Sequence, residues 1–359
     1  MEYKSIHKDF HLNGINYSRK ELQEVAYSLV KEGEDFEKSI GDFLLDWLND
    51  KSTVQVQTSG STGKPKKIEL WKSHMVNSAK ATGVFFGLAP GSSALLCLSA
   101  DFIAGKMMLV RAIILGLHLD YVEPSSNPLE QHSKTFDFCA MVPLQVENAL
   151  NKQDQIKTLI VGGAPVAFTL KELMIGKVEN SEIFETYGMT ETITHVAVKK
   201  IHPPESEKQY FKALPEVKIS TDNRHCLVID APKISNAIIT TNDVVNLISD
   251  SEFELLGRYD NVINSGGFKL FPEHIEAKLT PLIKQRFFVV GLPDEKLGQK
   301  SVLIVEGDID AEKLFREIKL LDTLSKFEVP KEIRTTLQFQ ETENGKIRRN
   351  DTLRAIQRF

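Results

Sequence analysis

The first residues carry two helical stripes. Ser18-Arg19-Lys20-Glu21 has a capping-box pattern, in which a Ser hydroxyl and a Glu carboxylate satisfy free backbone amides at a helix start. Leu22, Val25, Ala26, Leu29 and Val30 then recur on one helical face, and Phe36, Ile40, Phe43, Leu44, Trp47 and Leu48 form a second stripe. From Ser52 the period changes. Short β-like runs at 53–57, 94–99, 136–142, 158–161 and 183–187 alternate with helical patterns such as 102–115 and 143–150. This alternation predicts an α/β layer with at least partly parallel strands. Near Ala197 it gives way to an irregular strand-rich stretch reaching Leu256, with a loop at Pro203-Pro204. The remainder reads as a small α+β unit. A helix starts at Phe271-Pro272-Glu273 and buries Ile275, Leu279, Leu282 and Ile283. Strands follow at 287–290 and 302–305, with another helix at 310–321. The expected organisation is a large α/β domain over 1–259 and a small α+β domain over 260–359.

Composition narrows the class. The net charge of −5 excludes a generally basic nucleic-acid binder, although a local phosphate site remains open. A chain that is 42% hydrophobic and 26% charged is built to fold. At 359 residues it buries about three quarters of its unfolded surface and needs no disulfide staples. The three cysteines, Cys97, Cys139 and Cys226, lack CxxC spacing, so neither a zinc site nor a redox pair is signalled. An odd cysteine count, no apolar leader and no long apolar run give a cytoplasmic expectation without stable membrane insertion.

The sharpest local chemistry is Thr58-Ser59-Gly60-Ser61-Thr62-Gly63-Lys64-Pro65-Lys66, which follows a predicted strand. Its glycines allow a tight turn and close approach to a ligand. Its hydroxyls, amides and lysines suit anionic oxygens. It is not a Walker A loop, because two residues separate Gly60 from Gly63 and Lys64 precedes Pro65. Taken alone it also reads as a flexible Ser/Gly surface loop.

In its order of residues, Thr58–Lys66 resembles the signature loop of the adenylate-forming enzymes, which include acyl-CoA and aryl-CoA synthetases, luciferases and peptide-synthetase adenylation domains. Further segments resemble the family's motifs in the family's order. They are Gly162-Gly163-Ala164-Pro165, Tyr187-Gly188-Met189-Thr190-Glu191-Thr192, Thr241-Asn242-Asp243, Gly257-Arg258-Tyr259-Asp260, Gly266-Gly267-Phe268-Lys269 with Pro272–Glu276, and Asn344-Gly345-Lys346-Ile347-Arg348-Arg349. The chain departs from the pattern at Lys67, Asn242 and Phe102, and a shorter segment than usual precedes the loop. Softer cues resemble the o-succinylbenzoate–CoA ligase branch of menaquinone biosynthesis: Met141-Val142-Pro143, the 162–165 and 187–192 segments, and Arg111 a short step after Gly105.

The resemblance implies ATP, Mg²⁺ and CoA as partners of a small carboxylic acid. Adenylate formation would come first and thioester formation second. It implies Lys346 as the catalytic cation between carboxylate and α-phosphate, Thr190 on that phosphate and Glu191 on the metal. The nucleotide set would be Thr58, Ser59, Gly60, Ser61, Thr62, Gly63, Lys64, Gly163, Ala164, Pro165, Tyr187, Gly188, Met189, Asp243 and Arg258. Asp243 would hold the ribose hydroxyls, and Tyr187 would stack on adenine unless it is a core residue. Phe102, Lys106, Arg111 and His195 are the acyl-pocket candidates. Arg111 suits a second carboxylate on the substrate, or else buries its stem on a helix face. Asp260 would be a hinge, and Gly266, Gly267 and Phe268 would line the CoA channel. Three alternatives stand beside CoA ligation of o-succinylbenzoate: CoA ligation of another aryl or acyl acid, loading of a carrier-protein thiol, and acyl-adenylate binding without turnover. A homodimer is left open.

Overall fold

The computed structural model describes residues 2–57, 67–204, 209–341 and 347–356. The chain divides into two compact units. Unit 1 comprises Met1–Ser220, Val228–Ile239 and Leu247–Phe253, and unit 2 comprises Thr221–Leu227, Thr240–Asn246 and Glu254–Phe359.

Unit 1 opens with the short strands β1 (His11–Leu12) and β2 (Ile15–Asn16), then helices α1 (Arg19–Glu32) and α2 (Asp35–Leu48). The capping box forms as read: the Glu21 amide donates to Ser18 Oγ at 3.4 Å, and the Ser18 amide donates to Glu21 Oε2 at 2.8 Å. The second stripe is the buried face of α2, with Phe43, Leu44, Trp47 and Leu48 all in the core. Next come β3 (Thr53–Gln57) and β4 (Lys67–Trp71), an antiparallel pair whose last register partners are Gln57 and Lys67. Helix α3 (Lys72–Phe86) leads into the alternating region: β5 (Ser93–Leu96), α4 (Ile103–Leu115), β6 (His118–Tyr121), β7 (Phe136–Met141), α5 (Pro143–Asn148), β8 (Ile156–Val161), α6 (Phe168–Lys177) and β9 (Glu182–Gly188). Strands β5 to β9 pair in parallel, in the order β9-β8-β7-β5-β6. Beyond β9 the pairing turns antiparallel, through β10 (His195–His202) and β11 (Phe211–Ala213). The mixed α/β layer expected from the sequence is the observed one. Its core under β7 and β8 packs Phe136, Cys139, Met141, Leu159 and Val161 against Val146, Leu170 and Met174 of the crossover helices.

The strand-rich stretch resolves into β12 (Lys218–Thr221), β13 (Cys226–Asp230), β14 (Ile239–Leu247) and β15 (Glu252–Arg258). Unit 2 continues with β16 (Ile263–Ser265), β17 (Phe268–Leu270), α7 (Pro272–Leu279), β18 (Phe287–Asp294), β19 (Gly298–Glu306), α8 (Ala311–Lys319), β20 (Glu332–Thr336) and α9 (Arg349–Ile356). Its sheet order is β17-β16-β19-β18, with β20 parallel to β19. Ile275, Leu279 and Ile283 pack on Val289, Leu303 and Val305. Asp310 caps α8 by accepting from the Lys313 amide at 2.9 Å. Among the described residues no helix is long and apolar enough to cross a membrane.

Lys72, the residue directly after β4, is fully buried. Its Nζ donates to the Asn49 carbonyl at 3.1 Å and to Asn49 Oδ1 at 3.0 Å. Asn49 caps the C-terminus of α2, where the helix dipole favours a cation. Burial, seconded by the Arg19 charge, still lowers its pKa to about 8. The unfolded chain therefore binds more protons than the folded one between about pH 8 and the ordinary lysine value of 10.5, and folding stability rises with pH across that window. We predict that Lys72→Met removes this rise, a difference of about 2 kcal/mol between the two chains. Urea midpoints at pH 7.5 and 10 measure it, and parallel pH profiles for both chains would contradict it.

Candidate functional site

The 187–192 segment sits at the end of β9, where the parallel sheet meets its antiparallel margin. Gly188 is forced here, since a Cβ would lie 2.2 Å from the Thr194 carbonyl oxygen. Residues 190–192 form one 3₁₀ turn. Thr192 Oγ1 pins it, accepting from the Met189 amide at 2.9 Å and donating to the Thr194 carbonyl at 2.7 Å. Thr190 is half-buried and Glu191 is exposed. Ile193 then turns the chain at φ 66° and ψ −62°, with the Thr194 amide on the Thr192 carbonyl at 2.7 Å. This is a γ-turn on a buried β-branched residue, a strained conformation of the kind that collects at functional sites. Nothing in the residue identities at 193 signals it.

Tyr187 is in the core. Its ring lies edge-on to Phe253 at 5.3 Å and to Phe211 at 5.9 Å. The neighbouring segment Gly163-Ala164-Pro165 leaves the end of β8, with Gly163 at φ 81°. Thr186 Oγ1 donates to the Val161 carbonyl at 3.0 Å, and a Cβ on Gly162 would lie 2.4 Å from that hydroxyl oxygen.

Arg111 and His195 are brought together. Arg111 lies on α4, whose close seat against residues 99–100 requires Gly105; a Cβ there would be 2.2 Å from the Ser99 carbonyl oxygen. The Arg111 side chain is 1% exposed. Its Nε donates to Thr82 Oγ1 and one Nη to Thr194 Oγ1, both at 3.4 Å. His195 reaches the same two hydroxyls at 3.5 Å. Among the described residues no carboxylate pairs with Arg111. Burial lowers its pKa to about 10, so it stays a cation at neutral pH. Burial and, after it, the Arg111 charge hold His195 well below its ordinary value, which makes it a neutral imidazole there. The other two acyl candidates lie apart from this pair. Lys106 donates to the Ala100 carbonyl and lies over the Phe43 ring of α2 at 5.3 Å. Phe102 is half exposed at the N-cap of α4.

In unit 2, Asp243 on β14 is nearly buried and accepts from Arg258 of β15 at 3.1 Å. The Arg258 guanidinium also lies 3.6 Å from Asp260. Arg224, absent from the expected set, holds this cluster from behind. It donates to Asp222 at 2.8 Å, Asn242 Oδ1 at 3.0 Å and the Thr241 carbonyl at 3.2 Å, and lies over the Tyr259 ring at 5.0 Å. An arginine in a strand hairpin carries no sequence signature of such a role. Gly266 and Gly267 form the turn between β16 and β17 at φ 57° and 85°. Phe268 follows, 47% exposed and stacked on Phe327 at 3.9 Å.

The loop Thr58–Lys66 and Lys346 lie outside the described residues. The strands before and after that loop end on the Gln57–Lys67 pair, and an isolated bridge joins Glu341 to Ile347. Among the described residues no group of three or more His, Cys, Asp or Glu side chains gathers as a metal cage. The exposed Glu191 fits the other way of holding Mg²⁺, by one carboxylate plus phosphate oxygens.

The family described as AMP-binding enzyme matches residues 30–231. A 2-succinylbenzoate–CoA ligase from Listeria monocytogenes serovar 1/2a is 27% identical, over 94% of this chain and 74% of its own length. An acyl-CoA synthetase (AMP-forming)/AMP-acid ligase II-like protein from Dyadobacter fermentans, of known structure, is 35% identical, covers 93% of this chain and 98% of its own, and superposes with a TM-score of 0.61. The O-succinylbenzoate coenzyme A synthetase of Bacillus subtilis, solved with ATP and a magnesium ion, shares the fold with a TM-score of 0.70 at 19% identity, over 92% of this chain and 82% of its own.

Proposed function

The chain belongs to the AMP-binding enzyme family, and on that premise we propose that it is an ATP-dependent 2-succinylbenzoate–CoA ligase. The substrate carboxylate attacks the α-phosphorus of ATP, pyrophosphate leaves, and the thiol of CoA then displaces AMP from the acyl-adenylate. Glu191, together with phosphate oxygens, would hold Mg²⁺, which when bound would offset the phosphate charge. The Thr190 hydroxyl donates to the α-phosphate, where charge grows in the transition state. Lys346 contacts the attacking carboxylate and the α-phosphate together, holding them in line. The loop 58–64 cradles the outer phosphates, Gly163-Ala164-Pro165 with Gly188 and Met189 borders the base, and Asp243, oriented by Arg258, takes the ribose hydroxyls. Asp260 is the hinge between 1–259 and 260–359, and Gly266, Gly267 and Phe268 border the thiol's path in the second step.

The observation that carries the dicarboxylate reading is Arg111, a buried guanidinium with no carboxylate partner among the described residues, beside the strained turn after Glu191. The succinyl carboxylate of 2-succinylbenzoate supplies the missing partner. The expected result is pyrophosphate release with Mg-ATP and 2-succinylbenzoate, completed to a thioester by CoA and detected by mass. Benzoate and a medium-chain fatty acid should give little of either. Turnover with one of those acids instead would keep the family chemistry and discard this substrate. Release without thioester on adding CoA would favour a carrier-protein thiol as acceptor.

A further inference from the structure

Glu185 is a carboxylate on the buried face of a central strand, between Ile183 and Tyr187. Such a group is costly unless every lone pair is used. Its Oε1 accepts from the Val166 amide at 3.2 Å. Its Oε2 accepts from Lys171 of α6 at 2.8 Å and from Lys199 of β10 at 2.9 Å. Burial pushes its pKa up, but the two ammonium groups outweigh that and hold it below the ordinary value, so it is ionised at neutral pH.

The Val166 contact fixes one end of a short segment. The other end is fixed where the Gly162 amide donates to the Met141 carbonyl at 3.1 Å. Between these two bonds lie only Gly163, Ala164 and Pro165, with Gly163 at positive φ. Register explains the reach: Glu185 pairs with Val161 across β8 and β9, one residue before the segment starts. We propose that Glu185 is a positioning residue for nucleotide-base recognition, setting the 163–165 backbone through its bond to the Val166 amide. This rests on the reading of 163–165 as the adenine-contacting segment.

The chemistry makes the isosteric amide informative. A carboxylate accepts on both oxygens, whereas a glutamine has one acceptor and one donor end. In Glu185→Gln one acceptor oxygen remains, and the two ammonium groups, as charged donors, claim it; the NH₂ then opposes the Val166 amide and the segment loses its fixed exit. Lys171→Met is the companion variant: it weakens the cluster but leaves the Val166 amide on the carboxylate.

Calorimetric titration of the full chain with Mg-ATP and with Mg-GTP tests this directly. The expected result for Glu185→Gln is an ATP affinity about tenfold lower, GTP binding nearly unchanged, and therefore a collapsed base preference. The KM for 2-succinylbenzoate should stay within about twofold. Lys171→Met should lower the melting temperature yet keep ATP affinity within about twofold of the parent. Equal loss of ATP affinity in both variants would assign Glu185 to general stability and overturn the inference, as would unchanged base preference in a folded Glu185→Gln. If the parent chain itself fails to prefer ATP over GTP, the reading of 163–165 fails, and that outcome is separate from any variant.

Discussion

Lys346→Ala is expected to lower pyrophosphate release by about 10² to 10³-fold, the usual cost of deleting one preorganised charge contact to a developing anion. The same variant should convert supplied acyl-adenylate and CoA to thioester at nearly the parental rate. The two half-reactions place negative charge differently. In the first, two anions must approach each other, the substrate carboxylate and the α-phosphate, and an ammonium between them lowers that repulsion. In the second, a thiol attacks an acyl carbon that is already activated, and no anion pair has to be brought together. Three residues after Lys346, Arg349 binds Glu276 at 2.8 Å and lies over the Phe288 ring at 5.6 Å, contacts that do not involve residue 346. A folding defect is therefore not the expected result of truncating residue 346, and a matching melting temperature would accompany the split. Equal loss of both half-reactions would remove Lys346 from the role proposed for it.

How much of this was legible in the sequence depends on the reach of each interaction. The Ser18–Glu21 capping box and the α2 stripe are local patterns, and both formed as read. The parallel strands at 136–141 and 156–161 were legible because strands covered on both faces are almost continuously apolar. The two-residue strands β1 and β2 are too short to carry a period, and β20 is mostly polar with no buried residue, so none of the three was visible. The site divides the same way. Asp243 and Arg258 lie fifteen positions apart, and the motifs that mark them meet as an ion pair. Arg224, which orients the backbone behind that pair, belongs to no motif. Tyr187 was readable as either a stacking platform or a core residue, and its contacts with Phe211 and Phe253 are those of the core.

Lys106 and Arg111 make the same point on a single helix. They are five residues apart, hence about 140° apart around the axis. The family resemblance offered both as acyl-pocket candidates, and the helix sends Lys106 to the Phe43 ring of α2 and Arg111 to the hydroxyls of Thr82 and Thr194. Arg111 is a nearly fully buried charge that, among the described residues, has no carboxylate paired with it.

That condition yields two effects of opposite sign from one substitution. In the free protein a buried guanidinium with no carboxylate partner among the described residues costs stability, because two threonine hydroxyls at 3.4 Å and a methionine sulfur at 3.6 Å replace its hydration poorly. Arg111→Met keeps the apolar stem and removes the charge, so it is expected to stabilise the free chain by about 1–4 kcal/mol. With substrate the sign reverses. A bidentate bond to the distal carboxylate of 2-succinylbenzoate is lost and that carboxylate is left desolvated, which should lower kcat/KM by about 10²-fold. A monocarboxylic acid never makes the bond, so any residual turnover of benzoate should change by less than about threefold. His195 supplies an internal control. Arg111 is one of the two causes holding its imidazole low, so its pKa, followed by proton NMR, should climb back toward the ordinary histidine value in the variant. A destabilised Arg111→Met chain that loses all acids equally would mean that the arginine holds α4 to the sheet margin and that a substrate carboxylate is bound elsewhere.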